Sequence, residues 1–185
     1  MRALFLDRDG VINHDMGYTH RWEDFVFIDG IFDLCRHARA CGFSLFVVTN
    51  QAGIARGLYT EEDFHALSAR MCTEFQAQGA PVDKVYFSPF HPKHGIGGYR
   101  QDSFLRKPNP GMILLAAEEF GLVLADSVLI GDRMSDIQAG RAAGIGCNLL
   151  YASEGVRAEA ADGAGDAPTA ILTRLEQAKR YLVSV

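Results

Sequence analysis

Leu4-Phe5-Leu6-Asp7-Arg8-Asp9-Gly10 (LFLDRDG) is the stretch whose reading decides the fold. Leu4 to Leu6 is a short apolar run that ends in a carboxylate, the pattern of a buried strand in a parallel sheet. The chain then opens at Asp7, Arg8 and Asp9, with two carboxylates two residues apart, and Gly10 lets the backbone turn. In open α/β sheets ligands bind at the carboxyl ends of strands, so Asp7 and Asp9 stand where chemistry is expected. On turn chemistry alone a D-x-D-G stretch is equally well a solvated turn. Three later strand ends tip the balance.

The same rhythm runs outward from this strand. Ile31, Leu34, Cys35 and Ala38 fall at helical spacing, with Gly42 as a stop. Residues 44–48 form a second strand, ending in Thr49-Asn50-Gln51 and then Ala52-Gly53-Ile54-Ala55-Arg56-Gly57, where a hydroxyl and backbone N–H groups could cradle a phosphate. Thr60 with Asp63 reads as a capped helix start, and Phe64, Leu67, Met71 and Phe75 as its buried stripe. A third strand follows at 84–87. Pro110 then opens a helix whose inward face is expected to carry Ile113, Leu114, Ala117 and Phe120. A fourth strand at 127–130 ends in Gly131-Asp132-Arg133-Met134-Ser135-Asp136, and 147–150 is a fifth. Residues 154–168 read as a surface connection. Residues 170–182 read as a closing helix with Ile171, Leu172, Leu175 and Ala178 inward. Alternating strands and helices mean α/β: a Rossmann-like, doubly wound parallel sheet with helices on both faces, in a single domain over 1–185. No gap between these motifs has room for a large inserted cap, so the loops 11–27, 51–59 and 88–105 must shape the pocket. The first of these is anchored by Trp22, Phe25 and Phe27 and also carries polar groups.

Composition bounds the function. A chain of 185 residues can bury a sizeable core. A net charge of −5 without a long basic run argues against a nucleic-acid or membrane surface, and no apolar run reaches spanning length. Cys35, Cys41, Cys72 and Cys147 form no C-x-x-C pair. Free thiols, with no export signal after Met1, point to the cytoplasm. A monomer is favoured.

Read together, the strand ends bring Asp7, Asp9, Thr49, Lys107, Asp132 and Asp136 to one crevice. Carboxylates at that density repel unless a cation or a proton intervenes. Hard oxygen ligands around a phosphate-sized space favour Mg²⁺, because no cysteine or histidine stands near these ends to take a softer metal.

LFLDRDG, VVTNQ, RKP and LIGDRMSD, in that order, resemble the four motifs of the haloacid dehalogenase (HAD) superfamily of aspartate-nucleophile phosphatases. DRDGVIN, GY, TNQAGIARG, HP and RKPNPGM resemble one branch, the D-glycero-D-manno-heptose 1,7-bisphosphate phosphatases, with histidinol-phosphate phosphatases as near relatives. The resemblance covers about residues 3–150. It implies a HAD-like fold and Mg²⁺-dependent hydrolysis of the 7-phosphate of a heptose bisphosphate, in lipopolysaccharide precursor synthesis. Histidinol phosphate or another small sugar phosphate is the alternative substrate. A phosphotransferase or a silent phosphate-binding protein is the alternative class, and retention of both Asp7 and Asp9 argues against silence.

The resemblance also implies roles. Asp7 is the nucleophile, Asp9 the general acid and base, and Thr49 and Lys107 bind the phosphoryl oxygens. Asp7, the Asp9 backbone carbonyl and Asp132 hold Mg²⁺, while Asp136 orients Lys107 or a metal-bound water. Asp15, Met16, Gly17, Tyr18, Asn50, Gln51, Ala52, Arg56, Arg106 and Arg133 are expected to line the substrate site, although Arg56 reads equally as a solvated loop residue. Relatives typically carry a structural zinc held by a C-P-H-H-P stretch and a C-x-C pair. Here Ser88-Pro89-Phe90-His91-Pro92 and Ser103-Phe104-Leu105 replace them. Zinc is therefore expected to be absent, with Phe90, Phe104 and Leu105 packed together in its place and His91 serving as a hydrogen-bonding loop residue.

Overall fold

The computed structural model describes residues 1–152 and 167–183; most of the connection expected at 154–168 lies outside them. Six strands form one parallel sheet: β1 (Arg2–Leu6), β2 (Phe43–Asn50), β3 (Lys84–Ser88), β4 (Val128–Gly131), β5 (Cys147–Tyr151) and β6 (Ala170–Leu172). Their order is β3-β2-β1-β4-β5-β6, with every pair parallel. The chain winds outward from β1 through β2 to β3, then returns to the other side of β1 with β4. The reversal of winding leaves a crevice at the carboxyl ends of β1 and β4. Asp7 and Asp132 leave the sheet at that point.

Period-two alternation along the strands divides the core between the two faces. Leu4 and Leu6 face one side with Leu45 and Val47, packed on α1 (Ile31–Ala40) and α3 (Glu61–Ala77). Ala3 and Phe5 face the other side with Phe46 and Val48, packed on α4 (Gly111–Phe120) and α5 (Met134–Ala143). A single turn, α2 (Ala52–Ala55), follows β2. In α1 the four residues expected inward are all buried. In α3, Thr60 and Asp63 form the reciprocal cap, and Phe64, Leu67, Met71 and Phe75 are buried. The aromatic anchor of the first long loop is also as expected: Trp22 stacks on Phe25 at 5.7 Å, and Phe25 meets Phe27 edge-on at 5.0 Å.

Three expectations need correction. The closing segment is not one helix: 170–172 add β6 to the free edge of β5, and Leu175–Tyr181 is a 3-10 helix. The backbone N–H groups of Thr173 and Arg174 both donate to Gln177 Oε1, so the chain turns there. Ile171 consequently points outward, 54% exposed, while Leu172, Leu175 and Ala178 are buried. In α4 the buried face is Met112, Ile113 and Ala116; Leu114 and Leu115 are exposed. An unbroken apolar run carries no phase of its own, and packing on the sheet sets it. Finally, Phe90, Phe104 and Leu105 do not cluster. The Phe104 carbonyl accepts from Gly111 N–H at the start of α4, and the ring stands 61% exposed. Phe90 lies near Tyr99, and Leu105 joins the α4 side of the core. The 88–105 loop is instead tied down by polar contacts: Tyr99 Oη to Glu61 at 2.9 Å, Ile96 N to Ala55 O at 2.9 Å, and Arg106 to Phe90 O at 3.1 Å.

Candidate active site

Asp7, directly after β1, is buried. Its Oδ1 accepts from Arg8 N at 2.8 Å and lies 2.8 Å from Lys107 Nζ. Lys107 is 3% exposed; its ammonium also meets Asp136 Oδ1 at 2.6 Å and Val48 O at 2.8 Å. Asp136 spends its other oxygen on Arg133 N at 3.0 Å, in the first turn of α5. Both oxygens of Asp136 thus have partners, in keeping with a role in orienting Lys107. Asp132 differs: its Oδ1 is buried without a partner. Gly10 makes that closeness possible, because at φ +93° a Cβ there would fall 2.2 Å from Asp132 Oδ2.

The electrostatics follow from burial and crowding. Burial, and then the Asp136 charge, outweigh Lys107 and push Asp7 up to about 6. Burial, then Asp7 and Asp136, push Asp132 up to about 8. Burial also works against the Lys107 charge, but Asp136 and Asp7 outweigh it and hold the ammonium above the usual lysine range. One ammonium among three carboxylates leaves surplus negative charge. Ligand atoms of Asp7, Asp132 and Asp136 all lie within 4.8 Å of one another. The unpartnered Asp132 oxygen and this all-oxygen donor set fit a small hard dication such as Mg²⁺.

Asp9 is tethered by three donors. Arg8, itself 1% exposed, grips both oxygens at 2.8–3.2 Å, Asn13 donates to Oδ1 at 3.0 Å and Gln51 to Oδ2 at 3.1 Å. Sequence pattern alone assigns neither Arg8 nor Asn13 this role. D-R-D hinted at the first, and the bond from Asn13 needs the loop to fold back through its bridges to Asp9 and Phe27.

A cleft of about 630 Å³ opens over these groups. Asp15, Gly17, Tyr18, Asn50, Gln51, Ala52, Arg56, Arg106 and Arg133, the residues expected at a substrate site, line it with Asp7, Asp9, Thr49 and Lys107. All three long loops contribute. Met16 does not line it: the positive-φ turn at Gly17 and Tyr18 swings it out, 70% exposed, into a neighbouring depression. Two other side chains have internal work. The Asn50 amide exchanges hydrogen bonds with the Lys107 backbone at 3.0 Å in both directions, and so places the lysine. Gln51 is bonded entirely within the protein. Tyr59, Ser135 and His91 line the cleft without having been singled out for it. On the outer side Arg133 pairs with Asp15 at 2.9 Å, and Arg56 lies over the Tyr18 ring at 5.9 Å. Burial, and then the charges of Arg133 and Arg56, lower the proton affinity of Arg106. Three guanidinium groups therefore crowd one wall.

A Rossmann-like sheet with this acidic, lysine-bearing crevice defines a HAD-like hydrolase, and residues 104–178 match the HAD-hydrolase-like family model. The chain is 60% identical over 149 residues (80% of this chain, 79% of the relative) to D-glycero-alpha-D-manno-heptose-1,7-bisphosphate 7-phosphatase of Burkholderia mallei. It is 40% identical over 183 residues (99% and 97%) to D-glycero-beta-D-manno-heptose-1,7-bisphosphate 7-phosphatase of Vibrio cholerae. The crystal structure of D,D-heptose 1,7-bisphosphate phosphatase from B. bronchiseptica, complexed with magnesium and phosphate, superposes with a TM-score of 0.82 at 27% identity, covering 98% of each chain. The chain belongs to the HAD superfamily of phosphatases, in the branch of the heptose-1,7-bisphosphate 7-phosphatases. Among the described residues no helix is long and apolar enough to cross a membrane.

Proposed function

We propose that this protein hydrolyses the 7-phosphate of D-glycero-D-manno-heptose 1,7-bisphosphate with Mg²⁺, through an aspartyl-phosphate on Asp7. One observation carries the choice of a bisphosphate. The cleft that holds Asp7 and Lys107 at its floor also gathers Arg106, Arg56 and Arg133 on its wall, so charge is ready for a second phosphate that is not transferred. The α-anomer is the preferred form, on the 60% identity over 149 residues to the α-named relative.

In this reading Asp7 Oδ2, free of protein partners among the described residues, attacks phosphorus. Lys107 and Thr49 receive the phosphoryl oxygens as charge builds on them. Asp9 gives a proton to the leaving alkoxide and afterwards takes one from the attacking water. Asp7, Asp132 and the Asp9 backbone carbonyl would hold Mg²⁺, which when bound neutralises charge on the transferring group. The chain acts as a single catalytic unit and as a monomer, and its four free cysteines suit the reducing cytoplasm. The functional test is phosphate release over a panel holding heptose bisphosphate, heptose monophosphates and histidinol phosphate. The bisphosphate should turn over fastest; faster release from histidinol phosphate would overturn the assignment.

Arg106→Ala tests the second phosphate site. Loss of a charged, forked contact should lower kcat/KM for the bisphosphate by about 10- to 100-fold while leaving monophosphates within about threefold. Equal losses for both classes would remove Arg106 from that role.

The 88–105 loop is proposed to hold no structural zinc. His91 Nδ1 accepts from the backbone N–H groups of Lys93 and His94 at 3.1 and 3.0 Å, which occupies one of the few remaining ligand atoms. Metal analysis of protein purified without added zinc should find far less than one zinc per chain. One tightly held zinc would refute the proposal.

A further inference from the structure

Gln51 is 1% exposed, and every polar atom of its amide is used inside the protein. Tyr59 Oη donates to Oε1 at 2.6 Å, while Nε2 donates to Thr49 Oγ1 at 2.8 Å and to Asp9 Oδ2 at 3.1 Å. Chemistry fixes which way the amide points. Asp9 Oδ2 already accepts from Arg8 at 2.8 Å, so the side of the amide facing it is the NH₂ and the side facing Tyr59 the carbonyl. Tyr59 must then donate, and it keeps the proton to do so: burial pushes its hydroxyl up to about 12. Both Gln51 N–H protons are committed, one of them to Thr49. Since the Thr49 oxygen accepts there, its own proton is free to turn toward the cleft that Thr49 lines.

We propose that Tyr59 and Gln51 are positioning residues that set the direction of the Thr49 hydroxyl proton, so that Thr49 meets the substrate as a hydrogen-bond donor. The relay runs one way: Tyr59 O–H to the Gln51 carbonyl, Gln51 N–H to the Thr49 oxygen, Thr49 O–H to a phosphoryl oxygen. A hydroxyl free to rotate would spend part of its time with its lone pairs facing an anion. The relay removes that option before substrate arrives, which is preorganisation of a transition-state donor.

The fold makes room for the first link. Tyr59 lies flat against His20, with ring centres 5.1 Å apart and planes 7° off parallel. The ring also runs close to Gly53, where a Cβ would fall 2.1 Å from Cε1 and 2.8 Å from the hydroxyl. Position 53 must therefore be bare for the phenol to reach Gln51. Tyr59 makes no bond to Asp9, and Arg8 and Asn13 hold Asp9 besides Gln51.

The inference rests on the reading that Thr49 binds the transferred phosphoryl group, and a double-mutant cycle keeps the two apart. Steady-state kinetics with heptose bisphosphate are measured for wild type, Tyr59→Phe, Thr49→Val and the double variant. Tyr59→Phe should lower kcat about tenfold with KM held within about twofold, and in the Thr49→Val background it should change kcat by less than about twofold. A structural role would cost the same in both backgrounds. Gln51→Met, close in volume and unable to donate or accept strongly, is run in the same two backgrounds and decides the matter should Tyr59→Phe fold poorly. Wild-type kcat in both single variants, or a tenfold loss that persists without the threonine hydroxyl, overturns the relay. A wild-type protein that releases no phosphate from the substrate panel overturns the functional reading instead.

Discussion

Asp7→Asn should abolish phosphate release, lowering kcat on the order of 10⁴-fold or more, while the protein remains folded. The amide has nearly the shape of the carboxylate but is a poor nucleophile, so the covalent step loses its attacking atom. Stability should not suffer at neutral pH. Folded Asp7 holds its proton up to about 6 because burial disfavours the charge. An acid whose affinity for protons rises on folding is most costly to ionise in the folded state, and a neutral amide avoids that cost. The variant should also fail to acquire label from a phosphorylated substrate in rapid-quench experiments. Near-normal turnover would take the nucleophile assignment away from Asp7.

Lys107→Met should be severe in both activity and stability. Lys107 is the cation that Asp7 and Asp136 share, at 2.8 and 2.6 Å, and it is 3% exposed. Removing one partner of a buried ion pair leaves uncompensated charge and costs about 3–5 kcal/mol; here two carboxylates lose their partner together. The loss should be pH-dependent with a definite sign. Even with the lysine present, burial raises Asp7 to about 6 and Asp132 to about 8. In the metal-free variant the penalty should be least near pH ~4, where unfolded carboxyls also hold protons. It should grow as the pH rises through those values. Thermal midpoints measured from acid to neutral pH without Mg²⁺ would show this, and a variant as stable as wild type at pH 8 would contradict the role of Lys107 as the central counter-charge.

The parts of this structure that were legible in the sequence are those in which a local pattern determines the outcome. LFL, SLFVV and the later apolar runs are strands because little else can bury such short continuous segments. Asp7, Thr49 and Asp132 sit at strand ends and so had to meet at the carboxyl edge of the sheet. Residues 170–172 were illegible because ILTRLEQAKRYL satisfies helical spacing equally well, and only the unpaired edge of β5 turns its start into a strand. The phase of α4 was hidden by an unbroken apolar run. Phe104 was misplaced because an apolar side chain says nothing about where its backbone is already committed. Asn50 and Gln51 line the cleft. Yet their hydrogen bonds to residues 57 and 42 positions away could not be read from their neighbours. Tyr59, eight residues past Gln51, left no signal beyond being an aromatic beside a helix cap.

Phosphorus NMR of the purified protein with Mg²⁺ and heptose 1,7-bisphosphate is the most direct test of the central claim, since it shows which ester is cut. The expected result is replacement of the C7 phosphate monoester signal by inorganic phosphate while the C1 signal stays, with the α-anomer consumed first. Loss of the C1 phosphate, or an unchanged spectrum with Asp7 intact, would contradict it.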